Sequence, residues 1–207
     1  MGGITLCPEE TDVKLRILLA ARKLFARQGY DGTSVRQICE EAKVNVALVS
    51  YHFGGKENLF SALFDAFFPG QRVQEVLEQK LTPLAGIKLV VREITLTRLR
   101  EPELISLLQQ EIVFQSPRID IIRKHAFPVW TYVRDLLLEG REQGVFRFRS
   151  IDHTFMSMTG AILFHKKSDY FRPLFTEEQQ DSESLIADIT EFVLRGLGVD
   201  PTASAEE

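Results

Sequence analysis

Apolar side chains recur every three or four positions along most of the chain, the spacing that places them on one face of an α-helix. From Thr11 onward Val13, Ile17, Ala20, Ala21, Leu24 and Phe25 form such a face, interleaved with Lys14, Arg16, Arg22, Lys23 and Arg27, and Gly29 is placed to end the helix. Asp31-Gly32 predicts a short turn, with Thr33 as N-cap of a second, short helix whose inner face is Val35, Ile38, Cys39 and Ala42. Only Lys43 and Val44 separate it from Asn45, the predicted cap of a third helix from Val46 to about His52. Gly54-Gly55 interrupts the pattern before a fourth helix runs from Lys56 through Leu59, Phe60, Leu63, Phe64 and Phe67, closed by Pro69-Gly70. Four helices in about 60 residues, two of them joined by a tight turn, outline a helix-turn-helix.

The helical period continues beyond Gly70 in longer segments. Residues 86–99 and 102–114 are amphipathic runs, and 118–140 is a longer one that Pro128 is predicted to kink. A loop over 140–149 leads to two last helices, 152 to about 167 and 182–197, and Pro201 opens a short acidic tail. No stretch alternates apolar and polar residues as a strand would, and no repeat is visible. The expected fold is all-α: a DNA-binding head over residues 10–70, with three helices around a helix-turn-helix at about 34–53, then a larger helical domain over 71–200 and a tail over 201–207.

Composition narrows the function. The 207 residues carry 25 Lys and Arg against 29 Asp and Glu, a net charge of −4 that argues mildly against a polyanion-coating protein. Residues 11–60 alone hold 8 basic and 5 acidic side chains, however, so the acidity belongs to the rest of the molecule. Cys7 and Cys39 are too few for a disulfide framework and lack zinc-site spacing, which fits a reducing cytoplasm, and Cys39 reads as a small buried residue. The least charged stretch, Phe155 to Phe164, has about half the ~20 apolar residues a bilayer crossing needs, and no signal peptide is evident. His52, His125, His153 and His165 show no i, i+3 or i, i+4 pairing, and no nucleophile-and-base motif occurs. Neither a metal, a cofactor nor an enzymatic activity is expected.

The segment from Gly29 to Phe60 reads GYDGTSVRQICEEAKVNVALVSYHFGGKENLF. Its second helix of the helix-turn-helix pair would lie in the major groove of double-stranded DNA, its first turn at base edges. Asn45, Val46 and Ala47 there offer an amide for adenine and small apolar contacts for thymine methyls, with Ser50 one turn later on the same face. Tyr51 and His52 on the flank, and Thr33, Arg36 and Lys56 at helix starts, are candidates for phosphate. Val44, Val49 and Phe53 are expected to turn inward.

The ordered signals Gly29-Tyr30, Thr33, Val35, Arg36, Ile38, Ala42, Val44, Tyr51-His52-Phe53, Lys56-Glu57 and Leu59-Phe60 resemble the TetR/AcrR family of bacterial transcriptional regulators over roughly residues 12–68. The resemblance implies operator contact at Thr33, Asn45, Val46, Ala47, Tyr51, His52 and Lys56. Two positions depart from the family pattern. Lys43 stands where glycine is usual, and a non-glycine residue in the left-handed region costs on the order of 1 kcal/mol, which a phosphate contact by Lys43 would offset. Gly54-Gly55 gives the fourth helix a weaker cap than the family's usual Ser or Asp.

The resemblance further implies a ligand-responsive homodimer, more often a repressor, that releases a palindromic operator when an effector binds its larger domain. Phe155, Met158, Ile162, Ile189, Phe192 and Val193 on the last two helices are the expected dimer interface. Phe114, His125, Phe127, Trp130, Phe155 and Met158 are the candidate lining of an effector pocket, and their aromatic character favours a small hydrophobic or aromatic ligand, although such residues at helical spacing are also what a plain core contains. The alternative is a helical protein-interaction module with a degenerate helix-turn-helix.

Overall fold

The computed structural model describes residues 8–165, 168–177 and 181–199, with the backbone alone for residues 8–11. Among the described residues there is no strand. The chain runs through α1 (Pro8–Gln28), α2 (Val35–Ala42), α3 (Ala47–Phe53), α4 (Lys56–Phe67), α5 (Gly70–Leu77), α6 (Pro83–Arg100), α7 (Pro102–Val113), α8 (Ile119–Glu142), α9 (Ile151–Phe164), α10 (Ser168–Phe171) and α11 (Ser182–Gly196). The short helices α5 and α10 are additions to the predicted set. The 201–207 tail, and the end expected near Lys167, lie outside the described residues.

Two compact units form, and residue 70 is only one of the places where the chain passes between them. The first comprises residues up to Gly70 together with Glu103–His125, and the second comprises Gln71–Pro102 and everything from Ala126 onward. The expected boundary at residue 70 is one of these passages, and residues 103–125 return to the first unit for a packing reason. Leu104, Leu107 and Leu108 share one face of α7, and with Ile122 of α8 they are buried among Phe25, Ile38, Val49, Leu59, Phe60, Leu63 and Phe64. Four helices alone leave the head's apolar interior open on one side, and α7 fills it.

The same segment brings a buried charge into the first unit. Glu111, 4% exposed, accepts from Arg118 Nε at 3.0 Å and from the Ser116 hydroxyl. The Arg118 guanidinium lies 3.7 Å from the centre of the Tyr30 ring, which in turn packs edge-on against Phe60 at 5.3 Å. Both carboxylate oxygens of Glu111 are thus engaged, the second by Arg118 Nη2 at 3.4 Å, as burial of a charge requires.

In the second unit, α6 contributes Ile87, Val90 and Val91 to a core shared with Val133, Leu136 and Leu137 of α8, Met158 and Ile162 of α9, and Ile189, Val193 and Leu194 of α11. Pro128 lies inside α8, which continues through it as one helical run. Phe146, in the loop after α8, folds back onto Gly140, where a Cβ atom would run into its ring. Gly140 is therefore helical, inside the element it was expected to end. At the surface Arg92 donates twice to Glu183, at 2.6 and 2.9 Å, tying α6 to α11.

Candidate nucleic-acid interface

The helix-turn-helix begins with a cap one residue later than expected. Ser34, not Thr33, is the N-cap of α2: its Oγ accepts from the Gln37 amide at 3.2 Å, and Gln37 Oε1 accepts from the Ser34 amide at 2.8 Å, a reciprocal capping box. Thr33 is 1% exposed, its hydroxyl donating to the Gly29 carbonyl at 2.7 Å, so its side chain does not face outward. It closes the turn after α1 instead. Arg36, the second residue of α2, is exposed and forms a surface pair with Glu40.

Lys43 ends α2 in the left-handed region, φ 56° and ψ 49°, the conformation its position in the turn demanded. In it the Lys43 amide donates to the Cys39 and Glu40 carbonyls, and the Val44 amide reaches back to Cys39 at 3.0 Å. Cys39 itself is buried, and burial pushes its thiol up, away from the reactive thiolate.

Asn45 caps α3 from one residue outside. Its Oδ1 accepts from the Ala47 amide at 2.9 Å, which engages one of the oxygen's two lone pairs in holding the first turn. Val49, fully buried, anchors α3 to the core, with Val44 and Phe53 packed partly against it. On the opposite side Val46, Ala47, Ser50 and Tyr51 are exposed, Tyr51 by 73%. The face of a recognition helix is thus small and apolar in its first turn and hydroxyl-bearing one turn on. His52 is half-buried, its ring edge-on to Tyr51 at 4.9 Å.

Gly54 takes φ 74° to close α3, and Gly55 starts α4 with no side-chain cap, as its sequence implied. The Lys56 ammonium sits 4.0 Å above the Tyr30 ring, half-buried, and burial pushes its amine below the ordinary lysine range. Lys56 must leave that ring to reach a phosphate.

The expected effector residues divide between the two units, Phe114 and His125 in the first and Phe127, Trp130, Phe155 and Met158 in the second. Phe114 is 77% exposed and Phe127 55%. His125 belongs to the first unit, its ring against Phe64 and Phe68 and its Nε2 3.3 Å from Asp65, with burial holding the imidazole below its ordinary range. In the second unit Trp130 and Phe155 meet edge-on at 6.0 Å and Met158 is core. The six expected dimer residues all lie in the second unit. Met158, Ile162, Ile189 and Val193 are buried in the protomer's own core and Phe155 is half-buried, so of the six only Phe192, 68% exposed, presents a free apolar surface. Periodicity identified apolar faces correctly but not what they pack against. Met156 and Phe164, 65% and 59% exposed, are the outward apolar residues of α9 that it missed.

Residues 17–63 match the family described as bacterial regulatory proteins, tetR family. The chain is similar to the HTH-type transcriptional repressor NicS of Pseudomonas putida (strain KT2440), 25% identical over 191 residues that span 87% of this chain and 90% of NicS. It is similar to the crystal structure of HlyIIR, a hemolysin II transcriptional regulator, at 32% identity and a TM-score of 0.72, covering 87% of this chain and 98% of HlyIIR. The fold is also that of AibR, solved with isovaleryl coenzyme A and operator DNA, at 18% identity and a TM-score of 0.71 over 87% of this chain and 97% of AibR.

Proposed function

Because the chain belongs to the tetR family of bacterial regulatory proteins, we propose that this DNA-binding regulator works as a homodimeric repressor that releases a palindromic operator when a small effector binds its second unit. It is a transcriptional regulator and not an enzyme. The observation that carries the reading is the exposed face of α3. Val46, Ala47, Ser50 and Tyr51 are exposed on one side of the helix while buried Val49 fixes it from behind.

In this reading Val46 and Ala47 meet thymine methyls, Ser50 and the Asn45 NH2 read polar base edges, and Tyr51, His52, Arg36 and Lys43 hold phosphates. Lys56 adds a phosphate contact once it swings off Tyr30. A single recognition helix reads too few base pairs for specificity, so a second copy is required, placed by twofold symmetry one helical turn along the DNA. Met156 and Phe164 on α9 and Phe192 on α11 supply exposed apolar surface for that copy. No helix among the described residues is long and apolar enough to cross a membrane.

Selection of duplexes from a random pool, followed by gel shift, tests this. The selected site should be an inverted repeat. Arg36→Ala should weaken binding at every sequence and reduce the salt slope by about 1, Tyr51→Ala should weaken it at every sequence with the slope unchanged, and Ser50→Ala should relax preference at one base position. No enrichment, together with variant titrations that overlay the parent's, would remove the assignment of α3.

A further inference from the structure

The second unit buries a charge that has no ion pair among the described residues. Arg98, in the last turn of α6, is 5% exposed, and its Nε and Nη2 have no hydrogen-bond partner among the described residues. One turn earlier on the same face, Thr95 is fully buried and its hydroxyl is likewise unpartnered. A guanidinium held out of water without a counter-charge is unfavourable, and the negative end of the α6 dipole offsets only part of the penalty. Burial pushes the guanidinium below its ordinary range for the same reason.

Arg98 lines an open groove of about 850 Å³ whose walls include Leu99, Leu174, Phe175 and Leu185. Leu174 and Phe175 are 76% and 57% exposed, large apolar side chains turned to solvent beside a buried cation. His165, also in the groove, is held below the ordinary imidazole range by burial and by the Arg98 charge, so at neutral pH it adds a hydrogen-bonding group and no second positive charge. Asp169, Glu177 and Asp188 lie on the groove's exposed side, and none forms an ion pair with Arg98 among the described residues.

We propose that this groove binds an amphiphilic monocarboxylate, its carboxylate on the Arg98 guanidinium and its apolar body against Leu99, Leu174, Phe175 and Leu185. A carboxylate matches the guanidinium fork and supplies the missing acceptor. The limit of one negative charge follows from the surroundings: Arg98 is the buried guanidinium, and the exposed rim sets Arg172 against Asp169, Glu177 and Asp188, a net negative rim that repels the second charge of a phosphate ester or the several charges of a coenzyme A thioester. Only the name effector for this ligand rests on the proposed regulatory function; the binding itself does not.

Calorimetric titration of the full chain with sodium octanoate and with octanamide, which share an apolar body and differ in charge, tests the site. Octanoate should bind about tenfold more tightly than octanamide, and Arg98→Met should erase that preference while octanamide binding stays within about twofold. Arg98→Lys, which keeps the charge and loses the fork, should retain part of it, and inorganic phosphate should not displace octanoate. Equal binding of acid and amide, no octanoate binding at about 10 mM, displacement by phosphate, or an Arg98→Met protein that still prefers the acid would each overturn the proposal. A parallel gel shift separates the two ideas. Octanoate that binds through Arg98 without releasing DNA leaves the site standing and removes its effector role, and a chain that selects no DNA removes the regulatory reading while the acid-amide comparison stands on its own.

Discussion

The two units treat buried charge in opposite ways. In the first, Glu111 and Arg118 are nearly inaccessible, yet each is satisfied: carboxylate to guanidinium, carboxylate to the Ser116 hydroxyl, guanidinium to the Tyr30 face. In the second, Arg98 and Thr95 are as deeply buried and have no partner among the described residues. A complete network fixes one arrangement of helices, and here it fixes α7 and the start of α8 against the reading head. An incomplete one stores an unmet demand for an acceptor. The contrast separates a part of the molecule built to hold still from a part built to receive something.

Breaking the complete network should have the largest effect. Glu111→Ala leaves the Arg118 guanidinium with the Tyr30 ring and a longer 3.8 Å approach to exposed Asp31, and should lower stability by about 3 kcal/mol in urea unfolding. Ser116→Ala removes one charge-assisted bond from the same carboxylate and should cost about 2 kcal/mol. On the other side of the comparison the sign reverses. Arg98→Met, with no ligand present, should stabilise the second unit by about 1 kcal/mol, because the lost group was desolvated and unpaired. Thr95→Val, which keeps the shape and deletes the orphan hydroxyl, should change stability by about 0.5 kcal/mol at most, in the stabilising direction. A loss on Arg98→Met as large as that of Glu111→Ala would erase the distinction between the two regions.

Much of this architecture is legible in the order of residues. Helical periodicity places α1 to α4, and the run of signals from Gly29 to Phe60 marks the reading head before any coordinate is known. The misplaced cap had a local signal that went unused: Ser34 is followed three residues on by Gln37, the spacing of a capping box, while Thr33 has no such partner. Adjacent hydroxyls compete, and the one whose oxygen is free of the preceding turn wins. Other features have no local signature. Leu104, Leu107 and Leu108 form the same stripe whichever core receives them, and Met158 or Ile189 reads alike as core or interface. An arginine near a helix end reads as solvated, and only the surrounding chain shows that Arg98 is not.

The passage of the chain between the units has a consequence for how such a protein can be cut and recombined. The matched family segment ends at residue 63, but the interior it encloses is finished by α7 and α8, forty and more positions later. A fragment stopped at Gly70 keeps every residue proposed to face DNA and loses Leu104, Leu107, Leu108 and Ile122, so its apolar floor opens to water. The reading head is therefore not a cassette that can be moved whole onto another body. It travels only with a graft from the body's own chain, and a swap that preserves the fold has to exchange residues 103–125 along with the first 70.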